Sequence, residues 1–141
     1  MEKIYFNDYK DGELFTSPGR TITEADIVLF AALSADWHPL HTDKEYAAQT
    51  SFKERIAHGM LTLVVGSALM HRLGPCVMVP KKLIAFLGMD AVRFAAPTKI
   101  GDTIYCEAKV KSLTVKSDNK TGTIEYETHM TVPVTKEDEN S

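Results

Sequence analysis

Hydrophobic residues recur three and four apart through the first half of the chain, then alternate with polar ones in the second. Ile27, Phe30, Ala31 and Ser34 fall on one face of a helix, and three of the four are apolar. Thr23 stands where that helix would begin, with Asp26 completing a capping-box pattern. Ahead of it, residues 13–22 read as a short strand in which Pro18-Gly19 marks a turn or irregularity. Pro39 stops any helix by Trp37 or His38, because the residue before proline is pushed out of the helical region. Lys44 to Thr50 predicts another short helical piece. The longest helical candidate is "HGMLTLVVGSALMHRLG", His58 to Gly74. Being apolar on nearly every side, it predicts a helix wrapped by other structure. Gly74-Pro75 supplies its stop, and Arg72 suits its last turn.

From residue 83 onward the period shortens. Residues 83–94 predict a strand ending at "FAAP". In "TIYCEAKVK" the residues Ile104, Cys106, Ala108 and Val110 alternate with Tyr105, Glu107, Lys109 and Lys111. "TIEYETHMTV" sets Ile124, Tyr126, Met130 and Val132 against Glu125, Glu127 and His129. Both read as strands with one wet face, joined by the turn-rich "KSDNKTG". Helices first and strands later predict an α+β class, an antiparallel sheet packed against one long buried helix.

Composition narrows the picture. A chain of 141 residues suits a single domain over 1–141, with the polar "TKEDENS" at 135–141 as a flexible tail. A net charge of −3 gives no general affinity for nucleic acid. Cys76 and Cys106 form no CxxC pair and read as reduced core residues, which together with the polar start "MEKIYFNDYK" predicts a cytoplasmic protein. The most apolar run, Met60 to Met70, is too short to cross a bilayer, so no membrane association is expected.

The candidate chemistry lies in "SADWHPLHTDKEYA", Ser34 to Ala47. Asp36 and His41 point apart on a regular helix, whereas a proline-containing bend can turn both toward one point. An imidazole beside a carboxylate is the usual apparatus for moving protons near neutral pH. The pair alone leaves a plainer reading open, with Asp36 capping the next segment and His41 a half-buried histidine. His58-Gly59 opens the long helix, where unpaired N–H groups and partial positive charge can meet a substrate oxygen. Gly59 alone is equally served by a tight turn. Ser34 and Ser67 carry no nucleophile-elbow pattern, and the cysteines lie outside both motifs, so a reaction using water fits best.

"DWHPLHTDKEYA", followed by "IAHGMLT", resembles the signature of the MaoC-like hydratases, which include the R-specific enoyl-CoA hydratases. The spacing of seventeen from His41 to His58 is similar to that family's, as is the later "VRFAAPTKIGDTI". The likeness covers roughly residues 13–134. It implies a hot-dog fold, a sheet around the long helix, usually paired as a homodimer. It also implies reversible hydration of a 2-enoyl thioester to a 3-hydroxyacyl thioester. Asp36 and His41 match the acid/base pair, Gly59 the backbone donor to the thioester carbonyl, and Ser67 a serine that hydrogen-bonds to the aspartate. Trp37, His38 and His58 would line the substrate site. Two departures stand out: His38 replaces the commonest asparagine, and Ala35 replaces a frequent glycine.

The expected handle is CoA or an acyl-carrier pantetheine, with Lys81, Lys82, Arg93 and Lys99 as candidates for its phosphates. No cofactor or metal is expected. Asp36, His38, His41 and His58 could supply four ligands, but HPLH is not a typical zinc spacing. Trp37, Met60, Met70, Met78 and Met89 read as core or pocket wall. The rival readings are a hot-dog thioesterase and a non-catalytic acyl-thioester binder or complex subunit.

Overall fold

In the computed structural model, which describes residues 3–71 and 78–133, a 3-10 turn at Phe6–Asp8 precedes eight elements. These are β1 (Leu14–Thr16), β2 (Arg20–Thr21), α1 (Glu24–Ser34), α2 (Pro39–Thr42), α3 (Lys44–Ala48), α4 (Gly59–Leu69), β3 (Thr103–Val115) and β4 (Gly122–Thr131). The expected strand at 13–22 is thus two short ones. Ser17 bridges them through two hydrogen bonds to the Cys106 backbone, its N–H donating to the Cys106 carbonyl (2.9 Å) and its side-chain Oγ accepting from the Cys106 N–H (2.8 Å).

β3 is the spine of the sheet. β1 and β2 pair antiparallel along one of its edges and β4 along the other. The alternation read from the sequence holds: Ile104, Cys106, Ala108 and Val110 are buried while Glu107, Lys109 and Lys111 are exposed. A register shift between Val110 and Ser112 marks a bulge, which bends the spine beyond the buried run. The turn after β3 lies within "KSDNKTG", as expected, with Asn119 in a left-handed conformation.

Thr23 and Asp26 form the reciprocal capping box that starts α1. Leu61, Val65 and Leu69 of α4 join Ile22, Ile27, Ala57, Met78, Ile104, Cys106 and Ala108 in one core, and Gly66 is buried beside them. Gly66 lets the helix come down on Met130 of β4, since a Cβ there would collide with its sulfur. The Tyr126 hydroxyl donates to the Met78 carbonyl, and burial pushes its phenol well above the ordinary value.

Three expectations need correction. First, no strand forms over 83–94: residues 81–97 are exposed, and 83–97 make no backbone hydrogen bond within the described residues. Apolar side chains alone do not make a strand; a neighbouring edge must supply the ladder. Second, α4 is not wrapped all round, because Met60 and Val64 on its other face are 55% and 52% exposed. One chain provides packing for a single face. Third, of the residues read as core or pocket wall, Trp37, Met60 and Met89 do not belong to the core of the single chain, while Met78 is fully buried and Met70 packs against the core. The helix stop at Gly74-Pro75, with Arg72 and Cys76, and the tail at 135–141 lie outside the described residues, where α4 runs to Leu69.

The loops around α4 hold it in register with the sheet. The Ala57 N–H donates to the Thr98 carbonyl (2.7 Å), and Ile56 bridges Lys99. Gly101, at φ 94°, makes the turn into β3, where the Asp102 carboxylate accepts from the Lys99 N–H at 2.8 Å. No helix among the described residues is long and apolar enough to cross a membrane.

Candidate active site

α1 ends at Ser34 because Ala35 takes a left-handed conformation, φ 61° and ψ 19°. That single residue swings the chain out of the helix. The Asp36 N–H then donates to the Ser34 hydroxyl (3.2 Å), and the Asp36 carboxylate accepts from the His38 N–H (3.2 Å). The bend is completed by a short helix rather than an open loop. Pro39 occupies the first position of α2, where its missing N–H costs nothing. The Nδ1 of His38 accepts from the Leu40 N–H at 3.1 Å, capping α2 as an asparagine oxygen would.

Inside this bend His41 is half-buried, and its Nδ1 lies 2.8 Å from the Ile56 carbonyl. A carbonyl can only accept, so Nδ1 carries the hydrogen and Nε2 is the basic nitrogen of the neutral ring. Burial holds the His41 pKa below its ordinary 6.5; the Ile56 carbonyl opposes this, His58 adds to it, Asp36 opposes it and His38 adds to it. A carboxylate oxygen of Asp36 and one ring nitrogen each of His41 and His58 lie within 4.8 Å of one another. One water bridges such a span with two ordinary hydrogen bonds.

His58 is 2% exposed. Its ring stacks on that of His41, with centroids 3.9 Å apart and 29° between the planes. Its Nε2 lies 2.9 Å from the backbone carbonyl of Asp36, and the ring meets Phe30 on α1 at 4.9 Å. Gly59 follows as the first residue of α4, a helix start at which no side chain caps the free N–H groups. Phe94 covers it closely, since a Cβ on Gly59 would stand 3.1 Å from that ring.

The remaining expected residues are more scattered. Ser67 is half-buried on α4, eight residues past Gly59, and makes no hydrogen bond to Asp36 among the described residues. Trp37 is exposed on the bend. Lys81, Lys82, Arg93 and Lys99 are all exposed, and Lys99 stands 3.9 Å from Glu54. Asp36, His41 and His58 could in principle hold a metal. The fit is poor: near-parallel stacked imidazoles carry their in-plane lone pairs in separate planes rather than converging on one point. His38 spends its Nδ1 on the α2 cap. Sequence reasoning missed Ile56, Phe30 and Phe94. Ile56 acts through its carbonyl, which leaves no trace in residue type.

Residues 7–132 match the family model described as a MaoC like domain. The chain is 41% identical over 109 residues to the (R)-specific enoyl-CoA hydratase of Rhodospirillum rubrum, covering 77% of this chain and 71% of that protein. It is 40% identical over 112 residues to Protein MaoC of Klebsiella aerogenes, covering 79% of this chain but only 32% of that longer protein. Among solved structures, a monoamine oxidase regulatory protein from Archaeoglobus fulgius superposes with a TM-score of 0.82 at 36% identity, over 94% of this chain and 86% of that one.

Proposed function

The chain belongs to the MaoC-like domain family and has its hot-dog fold, and from that premise we propose that it is a hydro-lyase acting reversibly on 2-enoyl thioesters. The observation that carries the reading is the approach of the Asp36 carboxylate to His41 within 4.8 Å, beside the uncapped start of α4. An enoyl thioester takes hydroxide at C3 and a proton at C2, passing through an enolate-like state. Asp36 and the Nε2 of neutral His41 grip one water and remove its proton as oxygen bonds to C3. The same pair returns a proton to C2 on the same face. The Gly59 N–H donates to the thioester oxygen as it gains charge, an interaction worth roughly 2.7–4 kcal/mol in the barrier. Run backward, these groups dehydrate a 3-hydroxyacyl thioester.

R-stereochemistry and a CoA handle are proposed from the hydratase of Rhodospirillum rubrum, named as (R)-specific and enoyl-CoA-directed. The working unit is a homodimer. Exposed apolar side chains on 83–94 and the open face of α4 support this, being more than an isolated surface ordinarily carries.

Asp36→Asn preserves size and removes the carboxylate, so hydration of crotonyl-CoA should fall by about 10²-fold or more while the dimer stays folded. Loss of enoyl absorbance without thiol release identifies hydration, whereas released thiol identifies hydrolysis. Parent-like turnover by Asp36→Asn would overturn the mechanism. A panel of short, long, branched and dicarboxylic enoyl-CoA esters then defines the acyl group.

A further inference from the structure

We propose that His58 is a positioning residue whose ring, tied to the Asp36 carbonyl and stacked beneath His41, sets the acid–base pair against the amide of Gly59. The inference deepens the proposed hydration and rests on it. At 2% exposure His58 has no surface to offer a substrate. As the residue before α4 it could have capped its own helix, yet its side chain makes no cap bond. It reaches back twenty-two residues to the Asp36 carbonyl instead.

Because that carbonyl accepts, Nε2 must donate, so the ring is the Nε2–H tautomer with a lone pair on Nδ1. Nδ1 is buried with no hydrogen-bond partner among the described residues. A buried acceptor left unsatisfied is a cost that phenylalanine would avoid. Stacking alone would therefore favour phenylalanine, and donation alone would be met by glutamine. Imidazole does both in a side chain of this size.

Three constraints meet in the one side chain. The hydrogen bond holds the backbone of Asp36, the stack at 3.9 Å fixes the plane of His41, and the next residue carries the amide. Phe30 backs the ring from α1, so the arrangement is braced by the core. The titratable groups facing His41 are Asp36 and His38 on the bend and His58 beneath it.

The test compares the parent with His58→Phe, which keeps a ring without the donor, and His58→Gln, which keeps a donor at the Nε2 position without the ring. For the Phe variant, kcat should fall about 10–100-fold with KM within about threefold, because alignment rather than contact is lost. The Gln variant should turn over faster than the Phe variant. In both, the His41 titration midpoint, read by imidazole NMR, should move up as the ring loses its neighbouring imidazole. In the parent, the same spectra should show His58 as the Nε2–H tautomer.

A Phe variant with parent kcat and midpoint, or a loss expressed only in KM, overturns the proposal. If the Phe variant does not fold, the Gln variant decides through the His41 midpoint, and an unchanged value overturns it. A parent that hydrates no enoyl thioester sinks the proposed function instead. The positioning role is then judged by NMR alone, and a His58 protonated at Nδ1 rather than Nε2 would refute it.

Discussion

His41 is pulled in opposite directions: burial and the neighbouring imidazoles favour its neutral ring, while the Ile56 carbonyl and Asp36 favour its cation. The first group wins, and the pKa lies below 6.5. Two consequences follow for pH. A base must be neutral, so the acid limb of kcat/KM should fall below pH 6.5 and be absent from His41→Gln, as pH–rate profiles would reveal. For stability the sign is the same. Between the folded value and 6.5 the unfolded chain binds more protons, so the contribution of His41 is fully present above 6.5 and is lost as pH falls through that window. Thermal melts of the parent and the Gln variant, compared across that range, measure it; an acid limb lying above 6.5 would contradict the assignment. Asp36 and His41 were legible in the sequence because carboxylate, proline and imidazole are distinctive side chains. The Ile56 carbonyl that selects the tautomer was not legible, since every residue has one.

Among the elements, the bend depends on how α1 stops. Ala35 sits at φ 61°, where a Cβ crowds the following carbonyl, which gives a physical reason for glycine at such a position. Ala35→Gly should therefore stabilise the fold by about 0.5–1 kcal/mol after the extra freedom of glycine in the unfolded chain is counted. Chemical denaturation would measure it, and a destabilised variant would show that α1 is held chiefly by its packing. Local signals were readable wherever the answer was local: the Thr23 cap and the alternation of β3 appear as expected, whereas Pro39, read as a helix stop, opens α2 four residues after Ala35 has already ended α1. The expected strand at 83–94 failed for the complementary reason. Its side chains carry the pattern, but whether the backbone joins a ladder depends on an edge elsewhere. His38 shows a third case, in which an unexpected residue type fills the same capping role through a different atom.

At the scale of the whole molecule, one chain leaves much apolar surface open. Ile84 is 81% exposed and Leu87 69%, and the outer face of α4 adds Met60 and Val64. If a second copy covers this surface, Ile84→Asp should shift the protein from dimer toward monomer in sedimentation velocity, and a parent that sediments as a monomer would contradict that assembly. The alternation of polar and apolar positions reports that a residue wants cover; it does not say whether the cover comes from the same chain. The backbone at 83–97, which makes no hydrogen bond among the described residues, has a thermodynamic corollary. Where association supplies the missing hydrogen bonds, partnering is part of folding, and the melting temperature climbs with protein concentration by mass action. Dilution would then work as a mild denaturant, loosening the stretch that carries Phe94 against Gly59 and so blunting catalysis before the rest of the molecule unfolds.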